Sequence, residues 1–127
     1  MKVEIHSTDA PAPVGPYSQA ILVGEMLFVS GQIALDAHHP DAPLPHSIEE
    51  QTTKVLHNLA AVLKGASMKL DNVVKTTIFL ADMADFAAMN AIYSSHFEAP
   101  YPARETVAAK GLPKGAQVEI SCIASKG

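Results

Sequence analysis

Cysteine is almost absent from this chain: of 127 residues only Cys122 carries a thiol, which excludes an intramolecular disulfide framework and any zinc site built on several thiolates. A reducing compartment suits such a protein. Charge is also scarce, at 17% of residues, and sums to −4 with no run of lysine or arginine. Nucleic-acid binding through phosphate, and adsorption to a membrane surface, therefore lack an electrostatic footing. No stretch approaches the roughly 18 apolar residues of a membrane-spanning helix. Residues 1–20 carry Lys2, Glu4 and Asp9 with no apolar run of signal-peptide length. A cytoplasmic protein with no membrane or nucleic-acid partner is expected.

What the chain does have is apolar residues, at 48%, enough for one domain over residues 1–127. Residues 2–6 predict a short strand, and Ala10-Pro11-Ala12-Pro13-Val14-Gly15-Pro16 is a rigid connector that cannot be helix. Gln19 to Val23 and Met26 to Ser30 flank Gly24-Glu25, a two-residue hairpin turn with glycine first. The proline- and histidine-rich stretch 36–46 reads as an exposed loop. Ser47 with Glu50 forms a capping-box pattern, after which Val55, Leu59, Val62, Leu63 and Ala66 recur at helical spacing, predicting a helix over 47–66. Val73 to Leu80 reads as a strand. Asp82 and Asp85 then offer caps for a helix turning Phe86, Met89, Ile92 and Phe97 inward, and Thr106 to Ala109 and Gln117 to Ala124 read as the last strands.

The order βββαβαββ describes an α+β fold, a mixed sheet with two crossover helices on one face. The second face of that sheet should be polar in a monomer. Instead Glu119, Ser121 and Ile123 oppose Val118, Ile120 and Cys122 on one strand, and the strands with Met26/Phe28 and Val73/Phe79 are apolar on both sides. A partner subunit is expected to cover it.

Arg104 stands just after a proline-punctuated loop, at the start of a probable strand. A planar fork of donors in that position points to a carboxylate held in fixed orientation, the plainer alternative being a surface ion pair. Tyr17, Ser30 and Glu119 are polar residues in otherwise apolar segments. A glutamate in such a strand faces solvent or is paired, and burial beside an arginine is the least costly way to keep it ionised. An intersubunit ion pair is the structural alternative. His38, His39, Asp41 and His46 match no metal-ligand spacing and read as a solvated loop. Cys122 reads as a small core hydrophobe, and Ser30-Gly31-Gln32 is not a nucleophile elbow.

Gly15-Pro16-Tyr17-Ser18-Gln19-Ala20, Ser30-Gly31-Gln32-Ile33, Val74-Lys75-Thr76-Thr77, Pro102-Ala103-Arg104, Leu112-Pro113 and Val118-Glu119-Ile120, in that order, resemble the reactive intermediate deaminase (Rid or RidA) family from about residue 10 to 125. The resemblance implies a chorismate-mutase-like fold, a homotrimer with three intersubunit clefts, and a 2-iminobutanoate/2-iminopropanoate deaminase. Such an enzyme hydrolyses enamines and imines such as 2-aminoacrylate and 2-aminocrotonate to 2-oxo acids and ammonia, without metal or organic cofactor. It implies Arg104 as the grip on the substrate carboxylate, Glu119 with Tyr17 as the groups that orient and deprotonate water, and Ser30, Gly31 and Asn90 as cleft residues. Where some members carry cysteine two residues after the arginine, this chain has Thr106, which leaves backbone contacts but no thiol. Two other readings use the same chain: an RNA-directed inhibitor of translation, which the net charge disfavours, and a non-enzymatic module that binds small oxo acids or acts as a holdase.

Overall fold

The computed structural model describes residues 1–127. Its elements follow the expected order: β1 (Lys2–Ile5), β2 (Ala20–Val23), β3 (Met26–Gln32), α1 (Ile48–Gly65), β4 (Val73–Leu80), α2 (Phe86–Ser94), β5 (Ala103–Ala108) and β6 (Val118–Ser125). Gly24 adopts φ +58°, the left-handed conformation that lets β2 fold back on β3 at Val23↔Met26. The Ser47 hydroxyl accepts from the Glu50 N–H at 3.0 Å and donates to the Glu50 carboxylate, so the cap forms with the acid on the serine hydroxyl. Asp82 caps a 3-10 turn at Met83–Asp85 by accepting from the Ala84 N–H at 2.9 Å, whereas Asp85 makes no capping bond with its side chain. β5 begins at Ala103, earlier than the apolar run at Thr106, because its first residues are held by pairing with β4.

The six strands form one sheet in the order β1-β2-β3-β6-β4-β5, antiparallel except for the parallel pair β4 and β5. α1 links β3 to β4 across β6, and α2 links β4 to its parallel neighbour β5. The core lies between helices and sheet, where Val55, Leu56, Leu59, Val62 and Leu63 of α1 meet Leu27, Ile78, Val118 and Ile120. The other face has no cover within the chain. There Ile21, Phe28 and Ile123 align across three strands, and Phe79 and Val107 across two, with Phe28 47% and Val107 51% exposed. No helix is long and apolar enough to cross a membrane.

The proline-rich connector owes its path to one side chain. Gln19, buried, accepts from the Ser7 N–H at 2.6 Å and donates to the carbonyls of Ser7, Ala10 and Pro11 at 3.0, 3.3 and 2.9 Å. Its amide thus supplies the partners that a loop rich in proline cannot find in secondary structure. Gln19→Leu keeps the volume and orphans these groups, and is expected to cost about 2 kcal/mol or more. Urea denaturation checks this, and an unchanged midpoint would show the loop to be self-supporting.

Candidate active site

Arg104 is the second residue of β5, in register with Thr76 of β4 on the helix-covered face. Its Nη1 donates to Asn90 Oδ1 at 2.7 Å, and its guanidinium carbon lies 4.9 Å from the Tyr93 ring centroid and 5.6 Å from that of Phe86. Phe86, Asn90 and Tyr93 fall on one face of α2, so a single helical stripe holds the fork. Tyr93 is fixed in turn by a 2.8 Å hydrogen bond with Thr76, and burial pushes its phenol pKa up against the opposing pull of that bond and of Arg104. No acid pairs with Arg104, and it faces a cleft of about 320 Å3 shared with Asn90, Tyr93, Ser94, Tyr101 and Pro102. Two residues on, Thr106 Oγ1 is buried without a hydrogen-bond partner.

Glu119 lies on the opposite face. On β6 it is in register with Phe79 of β4, while Thr76 and Arg104 point to the helices. A cavity of about 410 Å3 collects Tyr17, Ser30, Gly31, Lys114 and Glu119 with an apolar wall that includes Val14, Ile33 and Leu35. Between Val29↔Cys122 and Gln32↔Ile120 the register of β3 on β6 shifts, placing a bulge at Ser30-Gly31. A Cβ on Gly31 would stand 2.7 Å from Glu119 Oε2, so the missing side chain is the space the carboxylate occupies. Ser30 donates its hydroxyl to the Ser18 carbonyl at 2.6 Å, and its N–H bonds to the Gln19 carbonyl at 2.9 Å, which fixes the segment after Tyr17. Burial raises the pKa of Glu119.

The expected residues thus fall into two groups: Tyr17, Ser30, Gly31 and Glu119 in one cavity, and Arg104, Asn90 and Thr106 on the far side of the sheet. The expectation that Glu119 is buried next to an arginine is corrected for the single chain, because Phe79 lies three positions after Thr76 on β4, an odd offset that inverts the face. Tyr93, Gln19 and Lys114 were not among the expected site residues. For Tyr93 the signal was available, in its spacing of three from Asn90 and seven from Phe86. Cys122 is buried with its thiol pushed up to about 12, as befits a core residue. His38 and His39 lie near Asp9 and Asp36 at 3.9 and 3.6 Å on the exposed loop.

The family described as Endoribonuclease L-PSP matches residues 7–126. The chain belongs to this family. A member from Synechocystis, named as a RutC family protein, is 52% identical over 125 residues, which are 98% of this chain and 95% of that one. The mouse 2-iminobutanoate/2-iminopropanoate deaminase is 43% identical over 123 residues, covering 97% of this chain and 90% of its own length. A Yersinia pestis structure of the conserved Rid protein family superposes with a TM-score of 0.94 at 43% identity, over 98% of this chain and 99% of that one. The single α+β domain is therefore the family fold.

Two outcomes follow from the Glu119 cavity. Gly31→Ala pushes on the free end of a flexible side chain and is expected to leave the melting temperature nearly unchanged, yet to displace the carboxylate and lower turnover roughly 10-fold or more. A melt and an activity measurement on one preparation check it, and unchanged turnover would remove the carboxylate's position from the chemistry. Burial that raises the folded pKa means the unfolded chain is the stronger acid, so ionised Glu119 opposes folding above its raised pKa and ceases to do so below the ordinary value of 4.5. Glu119→Gln should raise the melting temperature modestly near neutral pH, with the gain vanishing as pH falls below that value. A gain that grew in acid would show another cause.

Proposed function

We propose that this protein hydrolyses the imines of small 2-amino acids, 2-iminobutanoate and 2-iminopropanoate among them, to 2-oxo acids and ammonia. The observation that carries the reading is an arginine fork with no acid of its own, braced by Asn90 and two aromatic faces. That is a seat for a carboxylate. The activity named for the mouse relative supplies the rest of the substrate.

The enamine takes a proton at C3 and becomes the imine, whose C2 is electrophilic. Water adds to C2 of the N-protonated imine as Glu119 accepts its proton, which gives a neutral carbinolamine. Glu119 returns that proton to the nitrogen, the C–N bond breaks, ammonia leaves, and the hydroxyl gives its proton back to the carboxylate as its oxygen becomes the carbonyl of the 2-oxo acid. Glu119 suits the base role because an unpaired, partly buried carboxylate holds a proton more tightly than a solvated one. Tyr17 lines the same cavity and offers a hydroxyl to orient the water. Thr106, two residues after Arg104 on the edge strand, has its hydroxyl buried and would offer the substrate backbone only. Ser30, its hydroxyl committed to Ser18, serves by holding the wall.

Because the two groups stand on opposite faces of one chain, the complete site needs a second copy, with Arg104 of one subunit meeting Glu119 of the next. The uncovered apolar face and the edge position of β5 support a closed assembly, which we take to be the homotrimer. The family's description supports a second reading, RNA cleavage, in which the same carboxylate is the base.

The test generates 2-aminoacrylate in situ with a pyridoxal-phosphate enzyme and follows its decay. Wild type should accelerate decay while Arg104→Ala and Glu119→Gln each fail, with Arg104→Lys recovering little because an ammonium lacks the fork. Unfolding and refolding the two inactive variants together should restore about one quarter of the sites if each is shared by two subunits of a closed ring. No restoration would place the whole site in one chain. Decay equal to that without protein would end the deaminase reading, and RNA cleavage lost in Glu119→Gln would replace it.

A further inference from the structure

Lys114 stands at the rim of the Glu119 cavity in a conformation lysine rarely adopts. Its backbone is left-handed at φ 56° and ψ 25°, Gly115 follows at φ 68°, and the Ala116 N–H bonds back to the Pro113 carbonyl at 3.0 Å. Two successive left-handed residues closed by that bond make a type I′ turn, whose first central position ordinarily holds asparagine, aspartate or glycine. A lysine there carries backbone strain that glycine would relieve. The side chain is exposed and makes neither an ion pair nor a hydrogen bond.

The cavity that Lys114 borders is about 410 Å3 in the single chain, before a second copy brings Arg104 to it. Its wall at Pro11, Val14, Ile33, Leu35 and Pro113 is apolar, and Lys114 is the one cation among its lining residues. In the proposed two-subunit site, a substrate held at its first carboxylate by Arg104 and meeting Glu119 at C2 would extend its side chain along that wall. We propose that Lys114 receives a second, distal carboxylate, so that the preferred imines are those of acidic amino acids with a short aliphatic spacer, 2-iminopentanedioate above all. This rests on the deaminase reading. It assigns the site a substrate class, dicarboxylic imino acids, and gives the strained turn a reason to persist.

The experiment compares two five-carbon imines, one ending in a carboxylate and one in a methyl, made in situ by amino-acid oxidases from glutamate and norvaline. The kcat/KM ratio of the dicarboxylic to the monocarboxylic imine should be well above one for wild type. Lys114→Met should lower it about tenfold, mainly through KM of the dicarboxylic substrate, while Lys114→Arg keeps it. Lys114→Gly should lose the same discrimination while raising the melting temperature. A wild-type ratio at or below one, a ratio unmoved in Lys114→Met, or a Lys114→Gly variant that melts lower would each overturn the proposal. Should wild type turn over neither imine while still accelerating 2-aminoacrylate decay, the proposal falls and the deaminase reading stands; should it accelerate neither, the deaminase reading fails, and calorimetric binding of 2-oxoglutarate against 2-oxopentanoate, with wild type and Lys114→Met, decides the role of Lys114 by itself. Equal affinities would sink it.

Discussion

Strand β6 must satisfy two neighbours at once, β3 and β4, while lying under α1, and its period of two decides what each face of the sheet can carry. Val118, Ile120, Cys122 and Ala124 are buried beneath the helices. Full burial of a large aliphatic side chain contributes about 1.5–3 kcal/mol, so together these residues outweigh the partial desolvation of one carboxylate. Glu119 is therefore held on the opposite face by the core behind it. A slip of one residue would bury Glu119 and expose Val118, Ile120 and Cys122 together. The register that makes the core also aims the acid, and the Ser30-Gly31 bulge opposite provides the room that a regular strand with a side chain would deny it.

On the helix-covered face the constraint is charge. A guanidinium there needs compensation, and a carboxylate partner would provide it at the cost of occupying the fork. The chain uses softer partners, the amide oxygen of Asn90 and the faces of Tyr93 and Phe86, which stabilise the cation without saturating its donors. Tyr93 is itself locked by Thr76, the residue in register with Arg104, so β4, β5 and α2 are tied at one point.

Most of the architecture was legible in the sequence because periodicity and punctuation agree along it. The Ser47 cap, the helical stripe from Val55 to Ala66, the Gly24 turn and the two-faced β6 each rest on local signals that tertiary context did not override. What escaped was relational. The start of β5 at Ala103 is set by pairing with Lys75, while Arg104 and Glu105 are weak strand formers on their own. The two-face division of the site follows from a register through β4 that no single strand reveals: period two says that Arg104 and Thr106 share a face, and that Glu119 and Ser121 share one, but not whether these are the same. The bulge at Ser30-Gly31 and the left-handed Lys114 depend likewise on contacts and backbone angles that residue identity does not announce.

The separation of Arg104 from Glu119 has a chemical consequence of its own. Were the two paired in one chain, the arginine would pull the carboxylate below its ordinary pKa and weaken it as a base, and the carboxylate would fill the fork meant for substrate. Kept on opposite faces, each is free of the other within the chain, and only in the proposed assembly would they meet in one cleft. In that assembly an acid seated on Arg104 would screen it from Glu119, whose burial keeps its basicity above that of a solvated glutamate. Under the proposed function, binding would thereby prepare the base: the substrate's own negative charge, placed near Glu119, would raise its proton affinity further when water is deprotonated. A site divided between two subunits can hold an arginine and a strong carboxylate base together only while a substrate anion lies between them.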